Sequence, residues 1–239
     1  RDLHLLMARV AGPENAFLSV VQGVSDGVKE LTVSPVAAVS EVGEARAVEV
    51  RGEGFTDLLV VGDERTARGT VRCGERLRFQ GQQAAVSQEA GKTTLWMMNG
   101  VELEAAGYKL TGRPRLEGKI VAVDPERHTL TVECPGLPHG TVAAGQYLLV
   151  TGLADGAYEI VSIQPGAPGQ QVVQVTDQAL ITVQPGQAFT FNTVAEVVVS
   201  DGGRVEWRGN VPCDIALPRR TAGPDGQLLC ADGNEPPRV

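Results

Sequence analysis

Three histidines in 239 residues, His4, His128 and His139, are too few and too scattered to suggest a catalytic or metal-binding cluster. His4 lies among Leu3, Leu5 and Leu6 and reads as a hydrogen-bonded histidine of a strand; His128 falls in an expected turn and His139 in a loop after Gly136-Leu137-Pro138. No Gly-x-Ser-x-Gly elbow is present, so the serines have no nucleophile context. The four cysteines, Cys73, Cys134, Cys213 and Cys230, contain no Cys-x-x-Cys pair, which argues against a zinc ribbon and a thioredoxin-type motif. The Gly-x-Gly at Gly52-Glu53-Gly54 precedes a strand-like run and not a helix, which contradicts a dinucleotide site. No stretch approaches the roughly 20 apolar residues that a helix needs to cross a bilayer, and no signal peptide opens the chain. Residue 1 is Arg at the head of a strand-like run, so the natural N-terminus is expected to lie upstream or to have been removed.

Aromatics are scarce too, at 4%, while Val, Gly, Thr and Gln recur in short blocks between turn residues, a composition that favours sheet over helix. The formal charge of −8 repels anions and argues against nucleic acid or an anionic membrane surface as partner. The densest basic groups, Arg113, Arg115 and Lys119, and the pair Arg219 and Arg220, lack interleaved aromatics and read as solvated charges.

What is present is a succession of strand-length runs. From residue 1 to about 112 they fall at Leu3–Val10, Ala16–Val21, Val28–Val33, Ala45–Val50, Phe55–Val61, Gly69–Val71, Arg76–Gln80, Ala84–Gln88 and Thr93–Met98, with turn chemistry between them. In 71–79 the alternation is clean, with Leu77 and Phe79 facing one way and Arg76 and Arg78 the other. In 45–51 it is imperfect: Glu49 shares a side with Ala45 and Ala47, opposite Arg46, Val48 and Val50. The pattern resets at Thr111-Gly112-Arg113-Pro114 and resumes with a hairpin whose turn is Asp124-Pro125-Glu126-Arg127-His128. The expected fold is therefore all-β: an antiparallel β-sandwich over 1–112, a smaller barrel-like or meander unit over 113–211, and a Pro- and Gly-rich loop or tail over 212–239. Cys213 and Cys230 flank a loop containing Pro218 and the Gly223-Pro224-Asp225-Gly226 turn, which makes them a candidate disulfide, with free thiols as the alternative.

No residue set asks for a catalytic assignment, a metal or a cofactor. With 29 acidic residues, spacing cannot single out a carboxylate pair for glycosidic hydrolysis. Trp96, Tyr108 and Trp207 are the candidate carbohydrate contacts, since aromatic faces stack on sugars, although each also suits core packing.

The runs Leu5-Leu6-Met7-Ala8-Arg9-Val10, Asn15-Ala16-Phe17-Leu18-Ser19-Val20-Val21-Gln22-Gly23 and Val28-Lys29-Glu30-Leu31-Thr32-Val33 follow one another as strand, short glycine turn and strand. In this order they resemble the C-terminal β-sandwich of the heparinase II/III-like family of polysaccharide lyases. Leu95-Trp96-Met97-Met98-Asn99-Gly100-Val101-Glu102-Leu103 is similar to the segment that ends that sandwich, and 116–124 with 129–132 to the small β-unit after it. The resemblance implies a non-catalytic accessory region of a secreted or periplasmic lyase, packed on an upstream α/α-toroid of the same polypeptide and meeting a polysaccharide only through that parent enzyme. No family catalytic residue maps onto a position here. The alternative from residue chemistry is a free-standing carbohydrate-binding or cell-surface adhesion module.

Overall fold

The computed structural model describes residues 31–152, 156–176, 180–216 and the backbone of 230–231. The runs expected at 3–10 and 16–21, with His4, lie outside the described residues, as do Arg219 and Arg220. The protein is all-β. Its strands are β1 (Thr32–Val36), β2 (Val39–Ser40), β3 (Ala45–Gly52), β4 (Phe55–Gly62), β5 (Val71–Cys73), β6 (Leu77–Gln80), β7 (Gln83–Glu89), β8 (Lys92–Met98), β9 (Glu102–Ala105) and β10 (Tyr108–Thr111). They continue as β11 (Leu116–Asp124), β12 (Thr129–Glu133), β13 (Tyr147–Thr151), β14 (Gly156–Pro165), β15 (Gln171–Val175), β16 (Ala188–Phe191), β17 (Val194–Ser200), β18 (Val205–Trp207), β19 (Asp214–Ala216) and β20 (Cys230–Ala231).

Two seven-stranded antiparallel sheets make the sandwich, in the orders β1-β3-β4-β7-β8-β17-β18 and β2-β5-β6-β9-β10-β19-β20. They share one core, in which Leu58, Val60 and Leu95 of the first sheet meet Leu77, Phe79, Leu103 and Leu110 of the second. β11 to β16 close into a six-stranded barrel in the order β11-β12-β15-β14-β13-β16. Its separate core is built on Ile120, Leu130, Leu148, Ile160, Phe189 and Phe191. Register breaks at Ile120/Ala122 and Ile160/Ser162 insert one extra residue into β11 and β14, the device that bends strands enough to close a small barrel.

The barrel is an insertion, and here the expected boundaries need correction. A unit running to residue 211 is not what forms: the chain returns to the sandwich at Val194, where β17 pairs with β8 from Val194↔Met98 to Ser200↔Lys92. Its alternate residues Ala195, Val197 and Val199 enter the sandwich core, a choice of partner that local alternation cannot encode. The expected tail also contributes strands. β19 pairs with β10 and places Ile215 in the sandwich core, and β20 pairs with β19.

Candidate functional site

The sandwich has a barrel end and a far end. At the barrel end the two connecting segments are locked by buried polar side chains. Asn99 follows β8 with φ 51, a left-handed backbone that asparagine tolerates better than most residues. Its Nδ2 donates to Gln82 Oε1 and, at 2.9 Å, to Asn192 Oδ1, while its Oδ1 accepts from Thr193 N at 3.0 Å. Thr193 Oγ1 donates to Arg113 O at 2.7 Å, tying the outgoing segment to the returning one. Asn210 closes the set: its Oδ1 accepts from Val194 N at 2.7 Å and its Nδ2 donates to Asn192 O at 3.2 Å. Next to it, Val211 packs into the barrel core. Gly209 passes so close to β17 that a Cβ there would lie 2.4 Å from the Val194 carbonyl oxygen. Arg115 is not a freely solvated charge, because its guanidinium donates to Gln82 Oε1 at 3.0 Å and Glu64 Oε1 at 3.2 Å. This network holds the barrel in one orientation.

At the far end lie the hairpin tips of both sheets and two adjoining cavities. The larger, about 500 Å³, is lined by Arg72, Arg76, Arg78, Glu104, Tyr108 and Lys109, among others. The second, about 290 Å³, meets it at Glu75, Arg76, Ala106 and Gly107. On the outward face of the second sheet, Arg72, Arg78, Glu104, Lys109 and Ala216 stand in register across five strands. Arg78 and Lys109 share Glu102 and Glu104: Arg78 Nη1 lies 3.3 and 3.5 Å from them, and Lys109 Nζ 2.5 and 3.4 Å. The hydrogen bond to Glu102 holds the Lys109 ammonium above its ordinary pKa, against the opposing effect of burial.

Below the rim, Glu49 is the one buried acid among the described residues, at 5% exposure. Arg51 pairs with it at 2.6 Å, and Arg76 reaches across from the other sheet to hydrogen-bond it. These bonds, from Arg51 first and then Arg76, hold its carboxyl below the usual carboxylate range. A depressed folded-state pKa adds stability that is complete above the unfolded-state value near ~4.3 and is lost as pH falls through the folded value. The melting-temperature gap between the wild type and Glu49→Gln should therefore be widest at neutral pH and narrow steadily under acid. A gap independent of pH would show that Glu49 contributes no linked charge.

The structure does not bring Trp96, Tyr108 and Trp207 into one platform. Trp207 and Tyr108 pack against the sandwich core from different sheets, Trp207 on an edge strand and Tyr108 at the mouth of the cavities. Trp96 faces outward on the first sheet, between Ala85 and Glu196 in register. There it belongs to an apolar row, Pro35–Val48–Leu59–Ala85–Trp96, that crosses five strands on the face turned away from the core. Val33, Val50, Val61 and Met98 flank it, with Val33 63%, Val61 54% and Leu59 39% exposed.

The proposed Cys213–Cys230 bridge is also corrected. Cys213 is a buried free thiol, as are Cys73 and Cys134. The register sets Cys230 opposite Ala216, three residues along the strand from Cys213. That offset, about 10 Å, exceeds the Cα separation a disulfide spans. Burial pushes the Cys213 thiol up to about 12 and the Cys134 thiol up to about 11, so neither is a nucleophile at neutral pH. His128 and His139 lie in the β11–β12 turn and the loop after β12, and no group of three His, Cys, Asp or Glu among the described residues could hold a metal ion. No family model, no curated protein and no solved structure matches the chain.

Proposed function

We propose that this chain is a non-catalytic accessory region of a heparinase II/III-like polysaccharide lyase, docked by the outer face of its first sheet onto the helical toroid of the same polypeptide so that it walls the substrate cleft. The apolar row from Pro35 to Trp96 carries this reading. A sheet facing water alternates apolar inside with polar outside, whereas here both faces of β3, β4 and β8 carry apolar side chains. The row is about 19 Å wide at ordinary strand spacing, and contiguous apolar patches of that kind mark docking surfaces. The locked barrel suits a wall whose shape must be fixed, because a positioning surface works only if it is rigid.

The coding sequence upstream of Arg1 is expected to specify a helical toroid; an initiator methionine and leader immediately before Arg1 would sink the reading. In solution, the isolated chain should self-associate and bind a hydrophobic dye through this face. Leu59→Lys with Val61→Lys should abolish both while leaving the melting temperature nearly unchanged, since both side chains are exposed. A wild-type chain that is monomeric and silent to the dye would count against the docking face.

A further inference from the structure

We infer that the cavity at the far end of the sandwich is a binding site for a carboxylate-bearing oligosaccharide, seated on Arg72 and Arg78. Arg72 and Arg78 are directly opposite each other across β5 and β6. Like charges in that position repel, and nothing in the packing of the two short strands requires them. Arg72 is exposed and makes no ion pair among the described residues. Arg78 spends Nη1 on Glu102 and Glu104, but its Nε is shielded from solvent without an acceptor. Glu41 lowers the potential at both arginines, yet its carboxylate is held on the Thr70 amide at 3.0 Å and bridges neither. The pair is therefore a cationic site with donors to spare on a chain of net charge −8. Planar guanidinium groups of this kind match a carboxylate.

The rest of the lining selects among carboxylates. Glu75 and Glu104 stand in the same cavity as the arginines, so it offers acceptors for hydroxyl donors beside donors for a carboxylate. A uronic acid residue presents both groups on one ring, whereas an acidic peptide brings carboxylates but no hydroxyls to meet these acceptors. The volume of about 500 Å³ is room for more than a single ion. The choice of a glycan rests on the accessory-region reading; the cationic pair does not.

The full chain should be titrated by calorimetry with a uronate tetrasaccharide, a neutral tetrasaccharide of the same linkage and a tetraglutamate peptide, at low and at physiological salt. Binding of the uronate alone, weakened by salt, is expected. Arg72→Glu should reduce its affinity about tenfold or more, the scale of a lost charge-assisted hydrogen bond, and should leave the melting temperature unchanged because Arg72 holds no other group. Lys119→Glu makes the same change in net charge on an exposed barrel position and should leave affinity within about twofold, as expected for a distant, screened charge. Equal loss in both variants, or no uronate binding, would overturn the site. Tetraglutamate binding as tightly as the uronate would overturn the glycan assignment. The upstream coding sequence tests the accessory-region reading separately, and a toroid found there together with a silent titration would reject this site alone.

Discussion

Phe189→Ala is expected to lower the unfolding free energy by about 3–5 kcal/mol, with the damage concentrated in the barrel. Phe189 is fully buried on β16, the strand that closes the barrel between β11 and β13. Its register partner on β11 is Gly118, and a Cβ at Gly118 would lie 2.3 Å from the Phe189 ring. The ring thus occupies the space a side chain would have taken, and glycine offers nothing that could relax into the hole. Closure makes the loss local, because the barrel core and the sandwich core have no residue in common. Hydrogen exchange should show amides of β11 to β16 losing protection while those of β3, β4 and β7 keep it. Uniform loss across both would mean that the two cores unfold as one.

The second large effect belongs to Asn99. Asn99→Ala removes two donated bonds and one accepted bond, leaves the buried Thr193 amide without its acceptor, and puts a Cβ-bearing residue without a compensating side chain at φ 51. The expected cost is about 3 kcal/mol. Asn99→Gly relieves the backbone term but not the lost bonds, so it should recover part of the loss and no more. Denaturant unfolding should broaden or split into two transitions as the barrel loses its anchor. A single unchanged transition in both variants would show that the junction is held by other contacts.

The all-β architecture was legible because turn chemistry and strand length are local properties. The β11–β12 hairpin appears where Asp124 to His128 placed its turn, with Arg127 N bonded to Asp124 Oδ1. What alternation could not convey was partnership. Val194 to Ser200 reads the same whether it joins the barrel or the sandwich, and only its pairing with β8 decides. The imperfect alternation at 45–51 held more information than it seemed to offer. Glu49 breaks the buried side because two arginines neutralise it there, and Val48 and Val50 break the exposed side because they belong to the apolar outer face. The cationic cavity was invisible for the same reason: Arg72 and Arg78 are separated by a tight hairpin, but Lys109 joins them only through the sheet order β5-β6-β9-β10.

The inserted barrel also changes the entropy of assembling the sandwich. Asn99 and Asn192 are 93 residues apart in sequence yet hydrogen-bonded to each other. Closing an unstructured loop of that length costs about 4 kcal/mol in chain entropy. A barrel folded from its own neighbouring hairpins brings its two ends together in advance, so β17 can find β8 across a short effective loop. An element that adds a second core to the finished protein thereby also acts as a cross-link during its formation, without a covalent bond.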